Sequence, residues 1–111
     1  MARESERRDR VSHNAAGLLD LRRRIDQIDA WLVRLLNERA QTAISVGRIK
    51  RAQGRAMFDA ARERAVLKQV AQAGQGPLSP RAMQQIFHEV LRQSRRLESS
   101  ARPRSPVRTS R

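Results

Sequence analysis

Ten positions in the first half of the chain, Leu18, Leu21, Ile25, Ile28, Leu32, Leu35, Arg39, Thr42, Val46 and Ile49, follow one another at alternating spacings of three and four residues. That period puts them on one face of an α-helix, and the helix formers between them predict a single long helix from about Leu18 to Arg51. Nine of the ten suit a buried seam, whereas Arg39 stands where a leucine is expected. A guanidinium taken out of water costs several kcal/mol unless something negative meets it. The seam therefore contains a carboxylate partner for Arg39, or it surrounds a site for an anion.

The period breaks at Gln53-Gly54-Arg55, which opens a loop ending at Phe58-Asp59. Asp59 is a good N-cap for a second helix over Ala60–Ala73, whose modest apolar face is Ala61, Val66, Leu67 and Val70. Gly74 and Gly76-Pro77 stop it. Ser79-Pro80, a capping hydroxyl followed by proline at the first helical position, then starts a third helix reaching about Glu98. Met83, Ile86, Phe87, Val90, Leu91 and Leu97 form its apolar stripe. The fold class is thus all-α, with one long, one short and one medium helix. At about 1.5 Å per residue the first helix spans roughly 50 Å, against a radius of gyration near 13 Å for a domain of about 100 residues. Two shorter helices do not cover so long an apolar stripe, which Trp31 and Leu36 widen. An intertwined helical homodimer is the predicted solution.

Residues 1–15 and 99–111 hold almost no large apolar side chains and are read as disordered N-terminal and basic C-terminal tails flanking a helical domain over 16–98. The 111 residues carry 24 Lys and Arg against 11 Asp and Glu, a net charge of +13. The tails hold eight of the bases and three of the acids, so residues 16–98 keep sixteen bases against eight acids. Most of the excess lies in the folded part and predicts anionic company. Cysteine is absent, which excludes a disulfide framework and thiolate metal sites and suits a reducing compartment. His13 and His88 lie far apart, so no metal site is expected. No apolar run is long enough for a membrane span, and the protein is read as cytoplasmic.

Lys50 follows Arg39 by three helical turns, so the two cations project from nearly the same side of the long helix, about 16 Å apart in rise. Only two of the 24 basic residues are lysine, and Lys50 looks selected for a compact point charge. Arg62 and Glu63 fall in the first turn after the Asp59 cap, where an acid is favoured by the helix dipole. Phe87, Leu91, Ser94 and Glu98 share one stripe, so a hydroxyl and a carboxyl continue an apolar face.

Five stretches, LLDLRRRIDQIDAWLVRLLNERA (18–40), VGRIK (46–50), FDAARE (58–63), GPLS (76–79) and IFHEVLRQSRRLE (86–98), resemble the all-helical chorismate mutases. The resemblance covers about residues 18–98. It implies a homodimer with two equivalent pockets that rearrange chorismate, a small dianion, to prephenate. Arg39, Lys50, Asp59, Arg62, Glu63, Ser94 and Glu98 would line a pocket within one subunit, and Arg22 would reach in across the interface. Arg22 and Arg39 would bind substrate carboxylates, Lys50 and Glu98 the ether oxygen of the breaking bond, Glu63 and the backbone at Asp59 the ring hydroxyl, and Ser94 the ring carboxylate. Arg62 would organise the site. A unimolecular Claisen-type rearrangement needs no cofactor, metal or nucleophile; it needs the compact conformer held and the developing charge stabilised. Ala60 stands where many relatives have proline, and Glu98 where relatives carry either glutamine or glutamate. To donate to the ether oxygen, Glu98 must hold a proton, which an apolar pocket favours and Lys50 and Arg39 oppose.

On the same fold, isochorismate-pyruvate lyases and aminodeoxychorismate mutases take related anions; the acid Glu63 suits the ring hydroxyl of chorismate. The resemblance also leaves room for a partner enzyme of the aromatic pathway. A basic nucleic-acid-binding role is the reading from another class. With Trp31 and two phenylalanines as its whole aromatic content, the chain lacks platforms for base stacking.

Overall fold

The computed structural model describes residues 15–101, which form three α-helices: α1 over Ala15–Ala52, α2 over Ala60–Ala73 and α3 over Pro80–Ser100. Among the described residues there is no strand, as the hydrophobic pattern predicts. The bounds of α2 are those its caps predict. α1 starts at Ala15 rather than Leu18, and α3 continues two residues past Glu98 to Ser100, with Ala101 as its C-cap. The rest of the two expected tails, 1–14 and 102–111, lies outside the described residues.

Local chemistry explains where the helices begin and end. Asp59 is extended and its Oδ1 accepts the Arg62 backbone N–H at 3.0 Å; Ser79 does the same for Ala82 at 3.0 Å, with Pro80 following. Each cap satisfies a donor that the first helical turn leaves without an internal partner. α1 stops in a Schellman turn: the Arg55 N–H reaches back to the Lys50 carbonyl at 2.8 Å and the Gly54 N–H to Arg51 at 3.2 Å. The turn requires a left-handed residue, and Gly54 supplies it with φ of 66°.

The chain divides between Asn37 and Glu38 into two units. In the first, the α1 residues Leu18, Leu19, Leu21, Ile25, Ile28, Trp31, Leu32, Val33, Leu35 and Leu36 are all between 37% and 58% exposed. The predicted seam is therefore continuous but uncovered on the single chain. Within this unit the Arg24 guanidinium lies 5.5 Å from the Trp31 ring centre.

The second unit contains the packed part. Ala43, Gly47, Val66, Leu91, Ser94 and Ala101 are its buried residues. α2 lies against α3, where Gln84 Nε2 donates to the Leu67 carbonyl at 3.2 Å. The C-terminal part of α1 meets α3 at Gly47: a Cβ built there would come within 2.6 Å of the Glu98 carbonyl oxygen and 2.7 Å of the Glu98 Cα. Backbone meets backbone at this crossing, and only glycine leaves the room. Beside it the Arg51 guanidinium donates to the Ser99 carbonyl. No described helix is long and apolar enough to cross a membrane.

Candidate active site

The crossing at Gly47 brings the polar ends of three segments around one cavity of about 440 Å³, a size ordinary for small-molecule sites. Its lining includes seven of the eight residues singled out in the sequence: Arg39, Lys50, Asp59, Arg62, Glu63, Ser94 and Glu98. Val46, Ile49, Val66 and Leu91 supply apolar wall between them. The eighth, Arg22, is exposed on the first unit of α1 and is not among the lining residues.

Arg39, the anomaly of the seam, is half-buried and forms no ion pair among the described residues. Its Nη1 donates to the hydroxyl of Ser94, which is buried on α3 at 8% exposure. Of the two solutions open to a cation in the seam, the second unit adopts the one without a carboxylate partner. One turn past Gly47, the Lys50 ammonium donates to Glu98 Oε1 at 2.7 Å and to the Met57 carbonyl at 2.9 Å. Both side chains of that ion pair are only 15% exposed. Lys50 thus ties α1 to α3 and to the loop, while its own carbonyl takes the Schellman bond from Arg55. In this arrangement Glu98 accepts a hydrogen bond through its carboxylate.

Asp59 also lines the cavity, and its carboxylate is occupied in capping α2. Glu63 is held by a residue the sequence reading did not single out: Arg95 of α3 donates through Nε to Glu63 Oε2 at 3.0 Å and through Nη2 to Oε1 at 3.3 Å. Arg55 also lines the cavity. Neither arginine carries a local signal in a chain this rich in arginine. Arg95 has only a spacing clue, one position after Ser94 on α3, and its partner lies 32 residues away on another helix.

The charge count of the wall is informative. Five cations, Arg39, Lys50, Arg55, Arg62 and Arg95, face three carboxylates, Asp59, Glu63 and Glu98, so two positive charges remain without an internal counterion. Of the wall cations outside the Lys50–Glu98 and Arg95–Glu63 pairs, Arg39 is half-buried while Arg55 and Arg62 are exposed, so Arg39 is the one whose hold on an anion water screens least. Among the described residues no group of three His, Asp or Glu side chains is placed to hold a metal ion.

Fold and cavity together define an all-helical protein with a small cavity whose wall carries more positive than negative side chains. Residues 21–99 match the chorismate mutase type II family, and the chain belongs to that family. It is 40% identical over 74 residues to the bifunctional chorismate mutase/prephenate dehydratase of Neisseria gonorrhoeae, a match covering 67% of this chain and 20% of that protein. Identity to the bifunctional enzyme of Pseudomonas aeruginosa is 37% over 76 residues, 64% of this chain and 21% of the relative. The chain thus spans about a fifth of the length of these curated relatives. Among solved structures, chorismate mutase from Thermus thermophilus superposes with a TM-score of 0.73 at 26% identity, covering 75% of this chain and 94% of that one. Chorismate mutase from Helicobacter pylori, solved in complex with prephenate, gives 0.71 at 29% identity, covering 78% and 93%.

Proposed function

We propose that this chain rearranges chorismate to prephenate as a homodimer. The observation that carries the reading is the pair of surplus cations in the wall of a partly apolar cavity: a substrate with two carboxylates restores neutrality there, and one with none does not. Arg39, with Ser94 beside it, binds one carboxylate. Arg22 of a second copy binds the other. The substrate is held in its compact conformer, with the ends of the new carbon–carbon bond in contact, so that the protein has already met the entropic cost of the cyclic transition state.

As the carbon–oxygen bond lengthens and the carbon–carbon bond forms, negative charge grows on the ether oxygen. Lys50 meets that charge with an ammonium fixed beforehand by Met57 and Glu98, and a charge already in place needs no reorganisation at the moment of reaction. Glu98, which accepts from Lys50 at 2.7 Å, faces the same oxygen. Glu63 and the Asp59 backbone receive the ring hydroxyl. Electrons move in a ring within one molecule, so no proton, leaving group or co-reactant has to be supplied.

The uncovered apolar stripe from Leu18 to Leu36 supports the dimer, since so much contiguous apolar surface is costly to leave in water. A second copy covering it also carries an Arg22 toward a neighbouring cavity. The names of the relatives pair the mutase with a prephenate dehydratase, which supports a partner that consumes prephenate by dehydration. A cytoplasmic location belongs to the same proposal and is supported by the cysteine-free composition.

The test is the loss of chorismate absorbance with purified wild type and Lys50→Ala. Wild type turns chorismate over, and the variant loses about two to three orders of magnitude in kcat. Retained activity in Lys50→Ala, with its helical content intact, discards the assigned cavity.

A further inference from the structure

We propose that Arg95 is a specificity-determining residue, one that makes the site prefer a ring hydroxyl over a ring ammonium by neutralising Glu63. The inference rests on the function proposed above. Its basis is the junction at which three segments meet: Arg95 on α3, Glu63 in the first turn of α2 and Phe58 in the loop. The guanidinium grips both oxygens of Glu63, at 3.0 and 3.3 Å, and its carbon lies 4.8 Å from the centre of the Phe58 ring. Fork and ring together fix the guanidinium plane in a way that a lone surface ion pair does not. Glu63 is 21% exposed at its side chain and Arg95 41%, so the carboxylate is the better shielded of the two. Both line the cavity.

A half-buried carboxylate without a cationic neighbour is an attractive site for an ammonium, because the ion pair forms where water screens it poorly. Once a guanidinium holds it on one edge, that Coulombic gain is already taken. The remaining lone pairs still accept a hydrogen bond from a neutral hydroxyl, and an ammonium brought there meets a second cation nearby. Arg95 therefore discriminates through Glu63 without touching the reacting atoms. It does so by disfavouring the competitor, and selectivity is a difference of affinities. The rest of the wall is already cationic and adds to the same bias.

The experiment compares chorismate with 4-amino-4-deoxychorismate, which carries an amino group in place of the ring hydroxyl. For each ligand it measures kcat/KM and, by calorimetry, the dissociation constant. Wild type prefers the hydroxyl compound by about tenfold or more. Arg95→Leu lowers that preference about tenfold by improving handling of the amino compound, and Arg95→Lys, which keeps the charge, holds the preference within about twofold of wild type. Should Arg95→Leu lose its helical circular dichroism, Arg95→Gln replaces it with the same expected direction. If Arg95 merely ties α3 to α2, both ligands suffer alike and the ratio stays put, which overturns the proposal. Wild type binding the amino compound as tightly as chorismate overturns it without any variant. A wild type that neither binds nor converts chorismate removes the functional reading, and this inference with it. Normal chorismate turnover with an unmoved ratio removes this inference alone.

Discussion

Gly47→Ala is the sharpest probe of how the cavity is built. The new methyl carbon would lie 2.6 Å from the Glu98 carbonyl oxygen and 2.7 Å from its Cα, where ordinary contact begins at 3.4 Å. The obstacle is backbone, so no side chain can swing aside, and α3 must retreat by about 0.8 Å, the difference between those distances. Two effects oppose each other in stability. Alanine gains about 1 kcal/mol over glycine inside a helix, and overpacking a tight contact costs about 1–3 kcal/mol. With a rigid obstacle the upper end applies, which leaves a net loss of about 2 kcal/mol and a thermal midpoint lower by roughly 10 °C. Activity falls further than stability. The same retreat stretches the Lys50–Glu98 contact from 2.7 Å beyond hydrogen-bonding range, and a misplacement of that order costs about a hundredfold in turnover. Chorismate absorbance and thermal circular dichroism on one preparation read both effects. A variant with an unchanged midpoint and turnover within about twofold of wild type refutes the backbone crossing as the element that sets the Lys50–Glu98 geometry.

Two other outcomes test different parts of the site. Glu98→Gln puts a permanent N–H donor where a carboxylate accepts from Lys50 at 2.7 Å, so it keeps turnover within about tenfold of wild type while Glu98→Ala loses about a hundredfold; equal losses in the two variants release Glu98 from the donor role. Arg22→Ala and Lys50→Ala, each nearly inactive alone, give one intact cavity per mixed dimer after refolding together, and about a quarter of wild-type activity from an equal mixture. No recovery on mixing argues that Arg22 does not serve a neighbouring subunit's cavity.

The helices were legible because their signals are local. Asp59 and Ser79-Pro80 carry their capping chemistry within a few residues, and Gly54 sits where a Schellman turn needs it. Arg39 stood out against its seam for the same reason, since one wrong residue in a period is visible without any fold. Arg95 and Arg55 were not legible. Nothing in their neighbourhoods separates them from other arginines, and what makes Arg95 distinctive, a carboxylate on α2 and a ring in the loop, exists only once the chain has folded. The close approach at Gly47 is likewise a fact of two helices. One helix alone presents an ordinary glycine near its end.

The loop after α1 and the proposed reaction centre share a single ammonium group, and an ammonium has three protons to give. Two are directed at the protein itself, one toward the Met57 carbonyl and one toward Glu98. Among the described residues the third has no acceptor, and in the proposed reaction it is the one that meets the substrate's ether oxygen. On the proposed reading, docking leaves the tether between loop and helix in place, and any change that loosens residues 54–58 also unsettles the proton offered to the reacting oxygen.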